Sequence, residues 1–425
     1  MDDLACSVPS EFSGKTRRKK IKRMDLKSGY PFWTVSNGLP AAFPPLQNDL
    51  DCDVVIVGAG ITGALIALAL ADAGLDVVVL DKRDVGWGST SASTALLQYE
   101  IDTEMVALAK MFGENHAVLA YRACEKAIHA LTEIAAENGR VGFREMQSLY
   151  YASRASHADR VRIEGEFRRR HGFAVEILEH DALEACFAID APLALLTATA
   201  AQVDPYRLTY AILRKLQKRG VRIFDRSAML DWQTKSQHVL VRTDANAILR
   251  CKHLILAGGY ESQQYLHQRV ATNHSSYALV TEPVRGGLGA LRDTLIWESA
   301  RPYLYLRSTS DGRILVGGED DQTDRPEKRD AAVPKKSATL MRKMKKLLPD
   351  LPLEKGYAWA GTFAETADGL PFFGPHPQHG PRVHFAMAYG GNGIAFSAIG
   401  AEILRARITR KSHPLMKLFS FERIT

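Results

Sequence analysis

Six consecutive residues near the front of the chain have the spacing of a turn that binds a diphosphate. They read Gly58-Ala59-Gly60-Ile61-Thr62-Gly63, and they lie between the apolar run Asp53–Val57 and the Ala/Leu-rich segment Ile61–Ala73. The first glycine permits a tight turn, the second lets phosphates approach the backbone, and the third lets a helix lie close to the preceding strand. The N–H groups and the dipole at the start of that helix favour negative charge. The pattern therefore predicts a nucleotide-binding βαβ unit.

The second strand of this unit, Asp76–Leu80, is followed by Asp81, 18 residues after Gly63. A carboxylate at this position accepts hydrogen bonds from an adenosine ribose and repels a 2′-phosphate, so NADP is disfavoured. FAD and NAD use the same unit, and the rest of the chain must distinguish them.

Three further segments could surround a nucleotide with a flat ring system. Gly86–Ala95 is small and rich in hydroxyls, His253–Leu256 is an apolar strand that ends in Ala257-Gly258-Gly259, and Gly390-Gly391-Asn392-Gly393-Ile394 precedes an apolar helix. The start of that helix could stabilise charge that develops on a bound ring. Taken singly, each segment could also be a plain loop or turn.

A strand in the second half of the chain carries the candidate catalytic side chains. Tyr303, Tyr305 and Arg307 alternate along it, so they share one face of the predicted sheet. The tyrosines could wall a substrate pocket and donate to a polar substrate. The alternative is an ordinary sheet face packed against a neighbour.

The composition limits the class of protein. Of 425 residues, 46% are hydrophobic and 24% charged, which is typical of a globular chain. The net charge of +7 is matched by seven basic residues between Lys15 and Arg23, so a body that wraps nucleic acid is not indicated. Five scattered cysteines without a CxxC motif favour a reducing cytoplasm.

His376, His379 and His384 lack a carboxylate or cysteine partner, and we expect a surface loop there and no metal site.

The remaining pattern predicts the elements around these sites. Prolines in residues 31–45 oppose a regular element, Asp204-Pro205 begins a helix, and Lys335–Leu348 is a basic amphipathic helix. Residues 275–320 alternate as in an antiparallel sheet, with a hairpin at Asp311-Gly312. The uncharged stretch Val54–Ala71 contains three glycines and is expected to be strand, turn and helix, without crossing a membrane.

From about residue 50 to the C-terminus, the sequence resembles the FAD-dependent D-amino-acid oxidase superfamily. That superfamily includes glycine oxidase, monomeric sarcosine oxidase and γ-glutamylputrescine oxidase, and the Pro-rich lead-in resembles the last group. The resemblance rests on Asp53–Gly63 with Asp81, Ser91–Leu97, Ala257–Gly259, Asp311–Arg313 with Gly317-Gly318, Trp359–Thr362 with Asp368–Pro371, and Gly390–Ile394.

The resemblance implies an α/β fold in which a Rossmann-like FAD-binding domain joins a substrate domain built on a mixed or antiparallel sheet. Residues 51–100, 200–265 and 355–425 would form the FAD domain, residues 101–199 and 266–354 the substrate domain, and residues 1–50 a basic tail and lead-in. Tyr303, Tyr305, Arg307 and Asn392 would be catalytic. The implied FAD-binding residues are Gly58, Ala59, Gly60, Ile61, Thr62, Gly63, Asp81, Lys82, Arg83, Gly88, Ser89, Thr90, Ser91, Ala95, Leu96, Leu97, Met229, Ala257, Gly258, Gly259, Gly361, Gly390, Gly391, Asn392, Gly393 and Ile394.

The implied reaction is oxidation of the C–N bond of an amine or amino acid by hydride transfer to flavin N5. Two arginines that hold a substrate carboxylate in glycine oxidase-like members are missing: their neighbourhoods here read Gly361-Thr362-Phe363 and Gly391. An amine, or an amino group remote from a carboxylate, is therefore favoured. No cysteine follows Cys251, so the FAD is expected to be non-covalent.

Two kinds of electron acceptor for the flavin stay open, and so does one function of another class. Oxygen would make the protein an oxidase, although the lysine that assists oxygen in sarcosine oxidase-like members falls near Leu315. A quinone or a protein carrier would make it a dehydrogenase, with at most peripheral membrane association through the basic segments. A nucleic-acid-associated protein is supported only by the basic tail. The oligomeric state is not predicted.

Overall fold

The protein is described here from a computed structural model, which describes residues 25–387 and 389–424; the basic run between Lys15 and Arg23 lies outside them. In this part of the chain the strands are β1 (Leu50–Val57), β2 (Val77–Leu80), β3 (Leu96–Gln98), β4 (Arg144–Tyr151), β5 (Val175–Glu179), β6 (Leu193–Gln202), β7 (Arg222–Phe224), β8 (Met229–Thr234), β9 (Val239–Thr243), β10 (Ile248–Leu256), β11 (Thr272–Thr281), β12 (Thr294–Glu298), β13 (Leu304–Ser308), β14 (Ile314–Asp321), β15 (Lys355–Glu365), β16 (Phe372–Pro375) and β17 (Val383–Met387).

The α-helices of the same residues are α1 (Phe32–Asn37), α2 (Ile61–Asp72), α3 (Ser89–Ala92), α4 (Met105–Phe112), α5 (Glu114–Glu137), α6 (Ala158–Arg170), α7 (His180–Phe187), α8 (Pro205–Lys218), α9 (Pro326–Leu347) and α10 (Gly393–Ile408). As predicted, α8 begins at Asp204-Pro205: the Asp204 carboxylate accepts hydrogen bonds from the N–H groups of Tyr206 and Arg207. No helix among these residues is long and apolar enough to cross a lipid bilayer.

The first sheet has the strand order β16-β17-β10-β1-β2-β7, and β8 and β9 extend it from β10. Its central strands are parallel, because β1 pairs in parallel with both β2 and β10. Every residue of β2 is buried, as expected for a strand covered on both faces. The unit β1–α2–β2 confirms the predicted βαβ unit, and α2 packs against α8 and α10.

The second sheet has the order β15-β11-β14-β13-β12-β4-β6-β3, with β5 paired to β6. Apart from the parallel pair β12–β4, its strands are antiparallel. The hairpin of β13 and β14 turns at the predicted Asp311-Gly312. Helix α9 packs on β11, β14 and β15. It starts at Pro326, nine residues before the predicted Lys335, because a proline fits the first turn of a helix and α9 also accommodates Pro334.

Three expectations differ from the structure. The lead-in was expected to have no regular element, but it contains the short helix α1. This helix is compatible with the prolines of residues 31–45 because its six residues, Phe32–Asn37, include none of them. His384 is not in a surface loop: it lies in β17, is 1% exposed and approaches His253. Strand β15 pairs with β11 in the second sheet, whereas the resemblance implied that residues 355–425 belong to the FAD domain.

The lead-in lies along the edge of the second sheet. The Ser28 N–H donates to the Ala360 carbonyl, and the Thr362 N–H donates to the Leu26 carbonyl, so this segment extends the sheet beyond β15. Arg329 of α9 is fully buried and donates to the carbonyls of Asp25 and Lys27. These bonds hold Leu26 at the cavity described below.

Candidate functional site

A cavity of about 650 Å³ runs between the two sheets. One end is lined by the glycine turn after β1, by Asp81 and by Met229. The other end is lined by Tyr303, Tyr305 and the turn before α10. The cavity therefore joins the predicted nucleotide site to the predicted substrate site.

The glycine turn is shaped by close backbone approaches. Gly58 has φ +116°, and a Cβ atom there would lie 2.4 Å from the carbonyl oxygen of Ala257 at the end of the neighbouring β10. A Cβ at Gly63 would lie 1.8 Å from the Gly58 oxygen, so only glycine allows α2 to start so close to β1. A Cβ at Gly60 would project towards the Thr90 hydroxyl at 2.9 Å, and its absence keeps the cavity open beside the helix N-terminus.

Asp81 closes the turn from the tip of β2. Its Oδ2 accepts a hydrogen bond from the Ala59 N–H at 2.7 Å, and its Oδ1 accepts one from the Arg83 N–H at 2.8 Å. Burial is the main cause that raises the pKa of Asp81, to about 6, while these two bonds oppose the rise. The carboxylate lines the cavity, as a contact to a ribose requires.

Lys82 and Arg83 follow Asp81 and form ion pairs with Glu261, at 2.7 Å and 3.0 Å. All three side chains line the same end of the cavity. The sequence prediction missed Glu261, which lies two residues after Gly259 in a 3-10 turn. Its signal was an acidic residue two positions after the paired glycines that follow a strand.

The hydroxyl-rich loop Gly86–Ala95 forms a side of the cavity and includes α3. Thr90 Oγ1 accepts a hydrogen bond from the Ile61 N–H at 3.0 Å, and so caps the start of α2. Two indoles fix the backbone of the loop: Trp33 donates to the Ser93 carbonyl and Trp359 to the Ala92 carbonyl. The loop is thus held rigidly beside the helix N-terminus.

The turn Gly390–Gly393, which precedes α10, lines the cavity at the end that also holds Tyr303 and Tyr305. The Asn392 side chain donates through Nδ2 to the Glu100 carbonyl, which ties the turn to the segment after β3. The Gly391 N–H donates to Asp102 Oδ2 at 2.8 Å. A Cβ at Gly391 would lie 2.7 Å from that same oxygen, so the Asp102 carboxylate occupies the space of a side chain at residue 391.

The two tyrosines rely on a pair of glycines in the adjacent strand. Tyr305 pairs with Gly317 across β13 and β14, and a Cβ at Gly317 would lie 2.4–2.5 Å from the Tyr305 ring and hydroxyl. Gly318 has φ +135°, and a Cβ there would lie 2.1 Å from the Tyr303 carbonyl. Gly317 therefore makes room for the Tyr305 side chain, and Gly318 allows the close approach of the Tyr303 backbone. The Tyr305 hydroxyl is 3.4 Å from the Ser276 hydroxyl of β11.

The structure corrects the prediction for Arg307. It shares the face of Tyr305, but it is 2% exposed and does not line the cavity. Its guanidinium donates to the carbonyls of Thr94 and Val203 and to the Gln202 side chain. The alternation of residues along a strand predicts which side chains share a face of the sheet, but it does not predict which other segment packs on that face. Here the loop before β3 covers Arg307. We infer a structural role for this arginine.

The other candidate residues fall into two groups. Those that line the cavity are Gly58, Gly60, Ile61, Thr62, Asp81, Lys82, Arg83, Gly88, Ser89, Thr90, Ala95, Leu96, Met229, Ala257, Gly258, Gly259, Gly361, Gly390, Gly391, Asn392, Gly393, Ile394, Tyr303 and Tyr305. Those that stand behind the lining, where they support the turns, are Ala59, Gly63, Ser91 and Leu97.

Asp102, Asp320 and Leu26 line the cavity and were missed by the sequence prediction. Asp102 and Leu26 lie outside every motif, and only the tertiary fold brings them to the site. Asp320 did leave a signal, because the acidic run Glu319–Asp321 follows the glycine pair at the end of an apolar strand.

The residues present fit an FAD. The turn with no side chain at Gly60 can receive a diphosphate, Asp81 can receive the ribose, and the same cavity is lined by Asn392, where a ring could lie. Within residues 25–387 and 389–424 the only cysteine after the start of β10 is the buried Cys251, which does not line the cavity. The expectation of a non-covalent cofactor stays a prediction.

Comparisons with known proteins agree with this reading. Residues 53–407 match the model of a family described as DAO, FAD dependent oxidoreductase. A curated protein of Bacillus subtilis, named as a Rieske 2Fe-2S iron–sulfur protein, is 25% identical over 92% of this chain and 74% of its own length. The gamma-glutamylputrescine oxidoreductase of Escherichia coli is 25% identical over 89% of both chains. The crystal structure of glycine oxidase from Geobacillus kaustophilus superposes with a TM-score of 0.75 at 19% identity, over 87% of this chain and 98% of that one.

Proposed function

Because this chain belongs to the DAO family of FAD-dependent oxidoreductases, we propose that it oxidises the C–N bond of a small amine or amino acid. The observation that carries the proposal is the single cavity that is lined both by the glycine turn after β1 and by Tyr303 and Tyr305. The names of two relatives, a glycine oxidase and a gamma-glutamylputrescine oxidoreductase, support the same chemistry.

FAD held by the glycine turn after β1 and by Asp81 would supply the two-electron acceptor for the hydride of the carbon that bears the amine. The substrate nitrogen loses a proton in the same oxidation, and the C–N single bond becomes the double bond of an imine. Water then hydrolyses the imine to a carbonyl compound and ammonia or a smaller amine. The reaction needs no protein base on the carbon.

The side chains at this end of the cavity position the substrate. The Tyr305 ring forms a wall, and its hydroxyl, beside Ser276, can bond a polar substrate group. Asn392 fixes the turn before α10, whose N-terminal N–H groups favour negative charge that develops nearby. Leu26 and Trp359 add apolar surface to the cavity lining.

Oxygen is the first candidate for the electron acceptor, and hydrogen peroxide would then be a product. A protein carrier is the second candidate, and two observations favour it. The position expected for an oxygen-assisting lysine holds Leu315, which is fully buried in β14. The Bacillus relative named as a Rieske protein has further sequence, since this chain covers 74% of it.

The test mixes the FAD-loaded protein with a panel of amines and amino acids without oxygen and follows the flavin absorbance. Bleaching by at least one amine is expected, because the carbon next to its nitrogen donates the hydride. Failure of the whole panel would contradict the proposal. Admission of air then separates the acceptors: rapid return of the yellow colour identifies an oxidase, and slow return identifies a dehydrogenase.

A further inference from the structure

We propose that the substrate carries a second positive charge and no carboxylate, as a diamine or polyamine does, and that Asp320 and Asp102 bind its charged groups. This inference rests on the proposed function, because it concerns the substrate end of the same cavity. It narrows the substrate class from amines and amino acids to cationic amines.

The charge of the lining changes along the cavity. At the nucleotide end, the cations Lys82 and Arg83 are paired with Glu261. At the substrate end, the charged lining residues among those the structure describes are Asp102 and Asp320, both acidic. A carboxylate substrate would meet two negative charges there, whereas an ammonium group would meet partners of opposite charge.

Asp320 has an unused acceptor. Its Oδ1 is shielded from solvent and has no hydrogen-bond partner within the described part of the chain, although the side chain lines the cavity. A buried carboxylate oxygen without a donor is costly, and a bound ammonium group would supply that donor. The donor-rich end of a polyamine is complementary to this oxygen.

The neighbours of Asp320 add to the negative potential. Burial is the main cause that raises its pKa, to about 7; Glu365 and Asp102 raise it further, and a bond from Ser276 and the charge of Arg301 oppose the rise. Glu365 also has a raised pKa, chiefly from burial and then from Asp102. The carboxylates of Asp320, Asp102 and Glu365 thus share one nearby guanidinium, that of Arg301. The His274 Nε2 atom lies 3.7 Å from Glu365 Oε2.

Arg301 does not serve as a carboxylate anchor in this arrangement. Its guanidinium donates to the Asp102 carbonyl at 2.8 Å and lies 4.5 Å from the centroid of the Tyr303 ring. It is not part of the cavity lining. At residue 391, where a side chain could have reached the substrate, the glycine leaves the space to the Asp102 carboxylate. The site therefore presents acids where a carboxylate would need a base.

The test compares three probes that share a carbon chain: putrescine with two amines, butylamine with one, and γ-aminobutyrate with an amine and a carboxylate. The FAD-loaded enzyme is reduced anaerobically at about pH 8, where Asp320 is ionised. We expect kcat/KM for putrescine to exceed that for butylamine about ten- to hundred-fold, the size of a hydrogen bond between charged groups. γ-Aminobutyrate should be the poorest of the three.

Two variants locate the effect. Asp320→Asn should lower the putrescine-to-butylamine ratio by about ten-fold or more, because the amide carries no charge. Asp321→Asn is the matched control: Asp321 is outside the cavity lining and pairs with Lys336 at 2.7 Å, so this change should preserve the ratio. Bound FAD per chain, measured from the absorbance, checks that both variants are loaded.

The outcomes separate this inference from the proposed function. If γ-aminobutyrate equals or exceeds putrescine, the inference is wrong and amine oxidation stands. If no probe reduces the flavin, putrescine and butylamine are titrated against the flavin spectrum instead. Tighter binding of putrescine that Asp320→Asn removes would then support the inference although the oxidation fails, and equal binding would overturn it.

Discussion

Single residues in the turn after β1 determine whether a diphosphate can approach. Gly58 and Gly63 leave no room for a Cβ because backbone oxygens lie within 2.4 Å of where it would be, whereas Gly60 faces the cavity. A side chain at residue 60 would therefore fill the site itself and would leave the fold around it intact.

Gly60→Arg should purify without flavin. The arginine would extend from the start of α2 into the space of the phosphates, next to Thr90. Absorbance of the purified protein and reconstitution with added FAD measure the loss. Leu39→Arg, at a side chain that is 56% exposed, is the control for adding an arginine, and it should remain yellow. A yellow Gly60→Arg variant would place the nucleotide elsewhere.

Asp81 makes FAD binding depend on pH. Without nucleotide its pKa is raised to about 6, so its contribution to stability is present below about 4 and is lost as the pH rises through about 6. A ribose hydroxyl donates to the ionised form, so binding is linked to loss of the proton. FAD affinity should fall about ten-fold per pH unit below about 6.

Titration of the FAD-free protein at several pH values tests this expectation. Asp81→Asn should bind FAD more weakly and with a flatter pH profile, because the amide does not titrate. A wild-type profile without a break near pH 6, or a variant with the same break, would remove Asp81 from the ribose site.

The Tyr305 hydroxyl should contribute to turnover. Tyr305→Phe removes a group that lies 3.4 Å from Ser276 and faces the cavity, and we expect kcat to fall by about ten-fold with the FAD content unchanged. Tyr357→Phe, which changes a tyrosine outside the cavity lining, is the control. Equal rates for the wild type and Tyr305→Phe would contradict the role.

At the scale of elements, the β13–β14 hairpin is what presents both tyrosines. Gly317 lets β14 pass beneath the Tyr305 side chain, and Gly318 lets it approach the Tyr303 carbonyl. The positive φ of Gly318 coincides with the irregular register of β14 against β11. The strand then reaches the cavity at Asp320. The β13–β14 hairpin thus places both the tyrosine rings and the Asp320 carboxylate in the cavity lining.

Gly317→Ala should destabilise the fold and displace Tyr305. The added methyl group would overlap the ring, and we expect a loss of about 1–3 kcal/mol in the free energy of unfolding. Tyr305→Ala in the same chain should recover much of that loss, because the overlap disappears. Thermal or denaturant unfolding of the single and double variants measures the coupling. Additive losses would show that the two residues do not touch.

Elements defined by neighbouring residues were predictable from the sequence. The unit β1–α2–β2, the Asp204 cap of α8 and the turn at Asp311-Gly312 follow from patterns within a few residues. The missing predictions concern distant segments. Asp102 and Leu26 reach the cavity only through tertiary packing, and Arg307 is covered by a loop more than 200 residues away in sequence. No local pattern encodes such neighbours.

At the scale of the whole molecule, the first sheet supplies the nucleotide end of the cavity and the second sheet supplies the substrate end. In the first sheet, the neighbouring parallel strands β1 and β10 end side by side, so the glycine turn after β1 meets Ala257–Gly259 after β10. The second, mostly antiparallel sheet carries the tyrosines and Asp320, and the turn before α10 lines the same cavity. A single FAD bound in this cavity would contact residues of both sheets.

The most direct test of the account is a crystal structure of the FAD-loaded protein. The diphosphate should lie on the backbone of Gly58–Gly63, the ribose beside Asp81, and the ring between Tyr305 and the turn at Asn392. A ring that lies outside this cavity, or a diphosphate remote from the glycine turn, would contradict the account.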